Sequence, residues 1–167
     1  DGTTVINQPL PQLADLDSLP MGDFFGEDHY CLERAELVPL DETRVLGYLS
    51  KFLAPMPSYI TMASRGCPEK CSYCCNCQLH AIYGRQKIRF LNSERLCDEI
   101  QHQLKRFPAI EYVGFMDDDF MSRSEASLQE FARLFKERVG LPFWIQVTAR
   151  NFSLSKLEIL REGGLDY

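Results

Sequence analysis

The stretch that decides the fold reads Ser64-Arg-Gly-Cys67-Pro-Glu-Lys-Cys71-Ser-Tyr-Cys74-Cys75-Asn-Cys77, and it holds five of the seven cysteines of the chain. Three of these thiols, Cys67, Cys71 and Cys74, have the spacing C-x3-C-x2-C. Thiolates are soft ligands that suit iron–sulfur clusters or zinc. A closed structural zinc site takes four ligands, whereas three thiolates around an iron–sulfur cube leave one iron open to a small molecule. The spacing therefore favours a catalytic iron–sulfur centre.

The composition is that of a globular protein and not of a disordered one. The chain has 167 residues, of which 45% are hydrophobic and 25% charged, and this is enough for one ordinary domain. No apolar run approaches the length of a membrane span, and the first residues lack a signal-peptide pattern. Because an odd number of cysteines surrounds a metal-type motif, we expect reduced thiols and a cytoplasmic location.

An acidic, proline-rich front segment precedes the cysteine stretch. Residues 1–57 hold six of the nine prolines, and residues 1–60 hold three basic against ten acidic side chains. Proline removes a backbone donor and restricts its predecessor, so only short helices are predicted, at Gln12–Leu19 and Thr43–Phe52. The segment is interpreted as a linker or a docked arm, and both remain open. Its negative charge argues against binding of nucleic acid.

Residues 58–167 alternate between strand and helix patterns. Predicted strands end in the cysteine stretch, in three acids and in a polar turn, which places these groups together at the carboxyl edge of a parallel sheet. Three βα units predict about half of a TIM-type (β/α) barrel, and the chain alone is therefore expected to be inactive. The predicted elements are strand Ser58–Ser64, helix Glu94–Phe107, strand Ile110–Met116, a helix from the capping box Ser122–Glu125 to Val139, strand Phe143–Ala149, helix Ser155–Glu162 and strand Leu165–Tyr167.

The cysteine stretch resembles the cluster loop of radical S-adenosylmethionine (SAM) enzymes. The resemblance rests on the C-x3-C-x2-C spacing, on Tyr73 just before the third cysteine and on the motif order from Ser58 to Tyr167. The lead-in Ser-Arg-Gly-Cys-Pro is similar to that of the cobalamin-dependent and methylthiotransferase-like branches. The resemblance implies a radical SAM core truncated after about three βα units. It also implies a 4Fe–4S cluster on Cys67, Cys71 and Cys74, with SAM bound to the open iron.

The resemblance further implies residues that bind SAM. Tyr73 stands where relatives place an aromatic near the adenine. The turn after the second strand carries Asp117 and Asp118 where many relatives have a Gly-Gly-Glu motif for the SAM amino group, so this chain departs from that pattern. Arg150, after the third strand, is a candidate for the SAM carboxylate or the substrate. The acids could equally serve a helix N-terminus or a divalent metal, and Arg150 could be an ordinary surface side chain.

The implied activity is reductive cleavage of SAM to methionine and a 5′-deoxyadenosyl radical. The expected reaction is cobalamin-dependent methyl transfer to carbon or phosphorus, or a related radical reaction, with cobalamin on a domain outside this chain. Expected partners are a small-molecule substrate and an electron donor such as flavodoxin or ferredoxin, with no membrane or direct nucleic-acid signal. A methylthiotransferase-like enzyme acting on RNA or protein is the alternative. A zinc-binding interaction module that recruits Cys75, Cys77 or His80 is the non-enzyme alternative.

Overall fold

The structure is a computed structural model that describes residues 2, 4–22, 28–50, 56–84 and 87–166. Its strands and helices, in chain order, are β1 (Tyr30–Glu33), β2 (Glu36–Pro39), α1 (Glu42–Leu49), β3 (Ser58–Thr61), β4 (Ser64–Arg65), α2 (Asn76–Tyr83), β5 (Arg89–Phe90), α3 (Ser93–Arg106), β6 (Tyr112–Phe115), α4 (Glu125–Arg138), β7 (Phe143–Ile145) and α5 (Leu154–Gly163). A short 3-10 helix spans Phe120–Ser122.

A three-stranded parallel sheet in the order β3-β6-β7 positions the candidate site. The central strand β6 is buried along its whole length, as expected for the apolar run that predicted it. Ser58 lies opposite Tyr112, and Val113 lies opposite Phe143. Because the strands are parallel, the turns that follow them lie together at one edge of the sheet. This part of the prediction, a parallel arrangement of three strands separated by helices, is confirmed.

The prediction of a partial TIM-type barrel is wrong for the residues that the structure describes. The parallel sheet stops at three strands, and the two remaining sheets are the antiparallel pairs β1–β2 and β4–β5. Closing a barrel requires strand tilt and stagger to accumulate around a full ring of strands, and three strands form an open sheet. The fold is therefore mixed α/β. The predicted fourth strand is reduced to one bridge between Phe143 and Leu165, and Tyr167 lies outside the described residues.

Helices α3 and α4 connect consecutive parallel strands and carry the side-chain caps expected at such positions. The Asn92 side chain accepts a hydrogen bond from the Arg95 backbone N–H at 2.7 Å, so α3 is capped by Asn92 and begins at Ser93, one residue before the predicted start at Glu94. Helix α4 is capped by Ser124, inside the predicted capping box. None of the helices within the described ranges is long and apolar enough to cross a membrane.

The core is built around Phe115, the last residue of β6. Its ring is surrounded by four other phenylalanines at centroid distances of 5.0–6.0 Å, mostly in edge-to-face geometry. Such contacts add to the free energy gained by burying the rings. The four are Phe120, Phe131, Phe135 and Phe143. Phe115 is buried and stands two residues before Asp117, so the turn that carries the three acids begins at the core.

The front segment contacts the sheet domain around Leu16, which is 5% exposed and packs in the core. The helix predicted at Gln12–Leu19 is not formed. The Asp15 carboxylate instead accepts a hydrogen bond from the Asp17 backbone N–H at 3.0 Å, a local turn that competes with helix formation. Asp17 in turn accepts hydrogen bonds from the backbone and side chain of Asn92, at 3.0 and 2.9 Å.

Two elements of the front segment differ from the sequence prediction. The hairpin β1–β2 was not predicted, and its two-residue turn places Arg34 and Ala35 at φ values of 49° and 67°. Both residues have positive φ, as a type I′ turn requires, although neither is a glycine or an asparagine. Helix α1 occupies Glu42–Leu49, whereas Thr43–Phe52 was predicted, and Phe52 lies outside the described residues.

Candidate functional site

The cysteine stretch begins just beyond the carboxyl end of β3. Strand β4 pairs with β5, with Ser64 opposite Phe90. The segment between these two strands contains the cysteines of this stretch and α2. Gly66 follows at a φ of 98°, a backbone conformation that residues with a Cβ rarely adopt. We call residues 66–75 the cysteine loop. Its position at the carboxyl edge of the parallel sheet agrees with the sequence prediction.

The thiols of this region differ in exposure, and all are free. Cys67 is 7% exposed, Cys74 and Cys77 are half-buried, and Cys71 and Cys75 are exposed. The Cys71 carbonyl oxygen accepts hydrogen bonds from the Cys74 backbone N–H at 3.0 Å and from the Cys77 thiol, whose sulfur lies 2.8 Å away. The chain therefore folds back over the backbone of Cys71. Only the first thiol of the predicted triad is held inside the protein.

The chemistry of the donor set suits a soft metal centre, whereas the folded arrangement does not close around one. Burial raises the pKa of the Cys67 thiol, a hydrogen bond with the Glu69 backbone lowers it, and the charges of Asp118 and Cys74 raise it further. Cys67 and Cys74 are thus near enough to interact electrostatically. Within the described residues, however, no three His, Cys, Asp or Glu side chains are close enough together to hold a metal ion.

Asp117 is fully buried and binds the chain just before the cysteine loop. Its Oδ2 accepts a hydrogen bond from the Ala63 backbone N–H at 3.0 Å, and its Oδ1 accepts one from the Ser64 hydroxyl. Burial raises the pKa of Asp117, while the two hydrogen bonds and the positive charge of Arg123 lower it. Both carboxylate oxygens therefore have partners within the protein, which makes this predicted SAM ligand part of the scaffold of the loop.

The next two acids point in other directions. Asp118 is exposed, and its Oδ1 accepts a hydrogen bond from the Asn76 side chain at 3.0 Å, at the start of α2. Asp119 is 4% exposed, and its Oδ2 accepts hydrogen bonds from the Thr148 hydroxyl and the Asn151 amide, each at 2.6 Å. Strand β7 ends at Ile145, earlier than the predicted Ala149, and Thr148 beyond its end binds Asp119. The triple acid connects the turns after all three parallel strands.

Arg150 lies on the turn after β7 and reaches the cysteine loop. Its Nη1 lies 3.1 and 3.3 Å from the two carboxylate oxygens of Glu69, and its side chain is 75% exposed. Tyr73 is 91% exposed. The structure therefore brings Asp118 and Arg150 to the cysteine loop and directs Tyr73 towards solvent.

A cavity of about 410 Å³ lies between the cysteine loop, α2 and the acidic turn. Its volume is within the range of small-molecule sites. The polar part of its lining includes Asp118, Asn76 and Arg65, and the apolar part includes Met62, Leu79 and Tyr83. An acid, an amide and a guanidinium around an apolar floor can orient an amphoteric ligand.

The sequence analysis missed two residues of this region, Asn76 and Arg123. Asn76 was part of the cysteine stretch and carried no assigned role, and it is 6% exposed. Arg123 was part of the predicted capping box, yet it is 3% exposed and donates a hydrogen bond from Nη2 to the Ala63 carbonyl oxygen at 2.8 Å. No local pattern marked Arg123, because it stands between Ser122 and Ser124 and its buried partners come from distant parts of the chain.

Comparison with known proteins gives one distant similarity. No protein-family model matches the chain. The chain is 20% identical over 156 residues to an uncharacterized methyltransferase of Pyrococcus horikoshii, in a match that covers 93% of this chain and 29% of that protein. The chain thus spans less than a third of the length of this relative. The similarity indicates a methyltransferase-like relative.

Proposed function

We propose that this chain carries the cofactor-binding segment of a radical SAM enzyme, with cobalamin-dependent methyl transfer as the reaction. The observation that carries the proposal is the C-x3-C-x2-C loop directly beyond β3, together with an acid and an arginine from the next two turns. The methyltransferase-like relative supports SAM as the ligand, because SAM is the usual methyl donor of such enzymes, and supports methyl transfer as the reaction class.

Cys67, Cys71 and Cys74 are the residues that would hold a 4Fe–4S cluster. When bound, such a cluster supplies the single electron needed to cleave the sulfonium carbon–sulfur bond of SAM, giving methionine and a 5′-deoxyadenosyl radical. Cys67 is already fixed against the core, whereas Cys71 is exposed and Cys74 half-buried. Binding therefore requires the far half of the cysteine loop to move towards Cys67.

Asp118 is the acid that we assign to the amino group of SAM. It is exposed, lines the 410 Å³ cavity and uses one oxygen for Asn76. A carboxylate beside a cationic amine forms a charge-assisted hydrogen bond. Arg150 is assigned to the carboxylate of SAM, which would compete with Glu69 for its guanidinium. Tyr73 is assigned to the adenine, a role that requires its exposed ring to fold over the ligand.

The remaining components belong to the whole protein. Cobalamin would be held by a domain outside this chain, an electron donor such as flavodoxin or ferredoxin would reduce the cluster, and the substrate would be a small molecule. A methylthiotransferase-like enzyme that acts on RNA or protein would use the same cysteine loop.

Metal analysis after anaerobic reconstitution tests the proposal. The chain is incubated with ferrous iron, sulfide and, in parallel, zinc, and the bound metals are counted. We expect about four irons per chain with a broad visible absorbance, as for cubane clusters on thiolates. The electron paramagnetic resonance spectrum of the reduced sample should change when SAM is added. Stoichiometric zinc without uptake of iron would overturn the proposal and favour a zinc-binding interaction module.

A further inference from the structure

Both backbone groups of Ala63, three residues before the cysteine loop, are bound by buried charged side chains. The Ala63 backbone N–H donates to Asp117 Oδ2 at 3.0 Å, and the Ala63 carbonyl oxygen accepts from Arg123 Nη2 at 2.8 Å. The next residue, Ser64, donates its hydroxyl to the other oxygen of Asp117. Asp117 and Arg123, which lie 54 and 60 residues further along the chain, thus both bind the backbone of Ala63, four positions before Cys67.

The charged side chain of Arg123 is buried. It is 3% exposed, and its guanidinium carbon lies 4.5 Å from the Phe90 ring centroid and 5.6 Å from that of Phe120. Its other hydrogen bonds go to the Leu91 carbonyl oxygen at 3.3 and 3.4 Å. A buried guanidinium requires compensating charge, and the negative charges that attract Arg123 are those of Asp117, which contributes most, and of Asp17 and Glu130. Asp117 and Arg123 therefore each bind one backbone group of Ala63, and their opposite charges attract each other.

We propose that Asp117 and Arg123 form a clamp whose role is to fix Cys67, the first thiol of the loop, before any metal binds. This inference rests on the proposed function, because it treats Cys67 as a cluster ligand. Asp117 and Arg123 are positioning residues, since they contact the backbone and not the ligand. The clamp explains the difference in exposure along the loop: Cys67 follows the gripped segment closely and is 7% exposed, whereas Cys71 lies further on and is exposed.

Only three residues separate Ala63 from Cys67. Ser64 is paired with Phe90 in the β4–β5 ladder, and Gly66 adopts a φ of 98°, a conformation that residues with a Cβ rarely adopt. A shift of Ala63 would therefore disturb Ser64 in the β4–β5 ladder, three residues before Cys67. Cys67 is thus the one buried thiol of the triad, and Cys71 and Cys74 would move towards it to complete a metal site.

Alkylation of cysteines in the metal-free chain tests the clamp, because Cys97 is an internal reference. Cys97 is 0% exposed in the core and distant from the loop along α3, so it becomes reactive only when the domain unfolds. Rates of alkylation by iodoacetamide are read for each thiol by mass spectrometry. In Asp117→Asn we expect Cys67 to react about tenfold faster, as for weakening of a charge-assisted hydrogen bond, with Cys97 unchanged.

An unchanged Cys67 rate overturns the proposal. Equal acceleration of both thiols also overturns it, because the pair would then support only global stability.

Asp119→Asn is the matched control variant, since Asp119 is also a buried acid but binds Thr148 and Asn151. It should leave the Cys67 rate at the wild-type value. Arg123→Lys, which keeps the charge, should restore part of the protection that Arg123→Met loses.

Iron uptake separates the clamp from the proposed function. If the wild-type chain takes up no iron, the proposed function fails whatever the thiols do. If it takes up iron and Asp117→Asn does so equally fast, the clamp fails alone.

Discussion

Asn76 Nδ2 lies 3.0 Å from Asp118 Oδ1, so one hydrogen bond joins the first turn of α2 to the turn after β6. Asn76 is 6% exposed, whereas Asp118 is exposed and lines the cavity. The hydrogen bond from the amide orients the carboxylate of Asp118, which lines the cavity. This arrangement distinguishes Asp118 from its neighbours, whose oxygens bind other parts of the protein.

Replacing Asp118 with asparagine should weaken SAM binding while keeping the shape of the side chain. Loss of a charge-assisted hydrogen bond costs about 1.5–3 kcal/mol, so we expect the dissociation constant to rise by about tenfold or more. Isothermal titration calorimetry of the iron-loaded chain measures this change. Asp98→Asn is the control, because Asp98 is an acid on α3 that pairs with Arg138. Equal affinity for SAM in Asp118→Asn and the wild type would show that another group binds the amine.

Cys71→Ala should abolish iron binding, and Cys75→Ala should largely preserve it. Both side chains are exposed in the metal-free structure, so neither substitution disturbs the core. The difference therefore reports the spacing of the triad and not a change in stability. Iron content after reconstitution is the measurement. Equal loss of iron in the two variants would mean that the wrong triad had been assigned.

Ala35→Gly should stabilise the protein. Ala35 has a φ of 67°, which costs a residue with a Cβ roughly 1 kcal/mol and costs glycine almost nothing. We expect the free energy of unfolding to rise by up to about 1 kcal/mol in urea denaturation. The control is Ala126→Gly, at an exposed position in α4, which should lower the stability by about 1 kcal/mol. A loss of stability in both variants would contradict the turn geometry.

Tyr112→Phe should make the protein less sensitive to alkaline pH. Burial, reinforced by the negative charge of Asp166 and the hydrogen bond to it, raises the pKa of Tyr112 to about 12. Between the ordinary tyrosine pKa of about 10 and this value, the unfolded chain loses its proton while the folded chain keeps it, so stability falls as pH rises. The slope due to this residue reaches about 1.4 kcal/mol per pH unit. Urea denaturation at several pH values should show a shallower fall in the variant, and identical slopes would refute the assignment.

Local signals in the sequence predicted the central elements well. The apolar run around Phe115 and the capping residues before α4 depend on neighbours a few positions away, and the sequence displays these directly. The position of the cysteine loop followed from the same reasoning, since a loop after a parallel strand must lie at the carboxyl edge of the sheet.

Features that depend on distant residues could not be predicted. Whether a sheet closes into a barrel depends on the number of strands that pair, and no local sequence pattern gives that number. The barrel was therefore wrongly inferred from three βα units. The three acids are chemically identical in the sequence, yet their roles differ because Ala63, Asn76 and Thr148 approach from separate elements. Likewise, Arg123 has the appearance of a surface residue until its partners are known.

The contacts of the triple acid after β6 also bear on the order of folding and of the proposed metal uptake. Its bonds to Ala63 and Asn76 join residues 54 and 42 positions apart, and Arg150 contacts Glu69 across 81 positions. Contacts of such high contact order form only once the sheet has been assembled. On the proposed function, folding would therefore precede metal uptake, in contrast to small zinc domains in which the metal drives folding. A chelator should accordingly strip the cluster and leave the unfolding transition of the core in place.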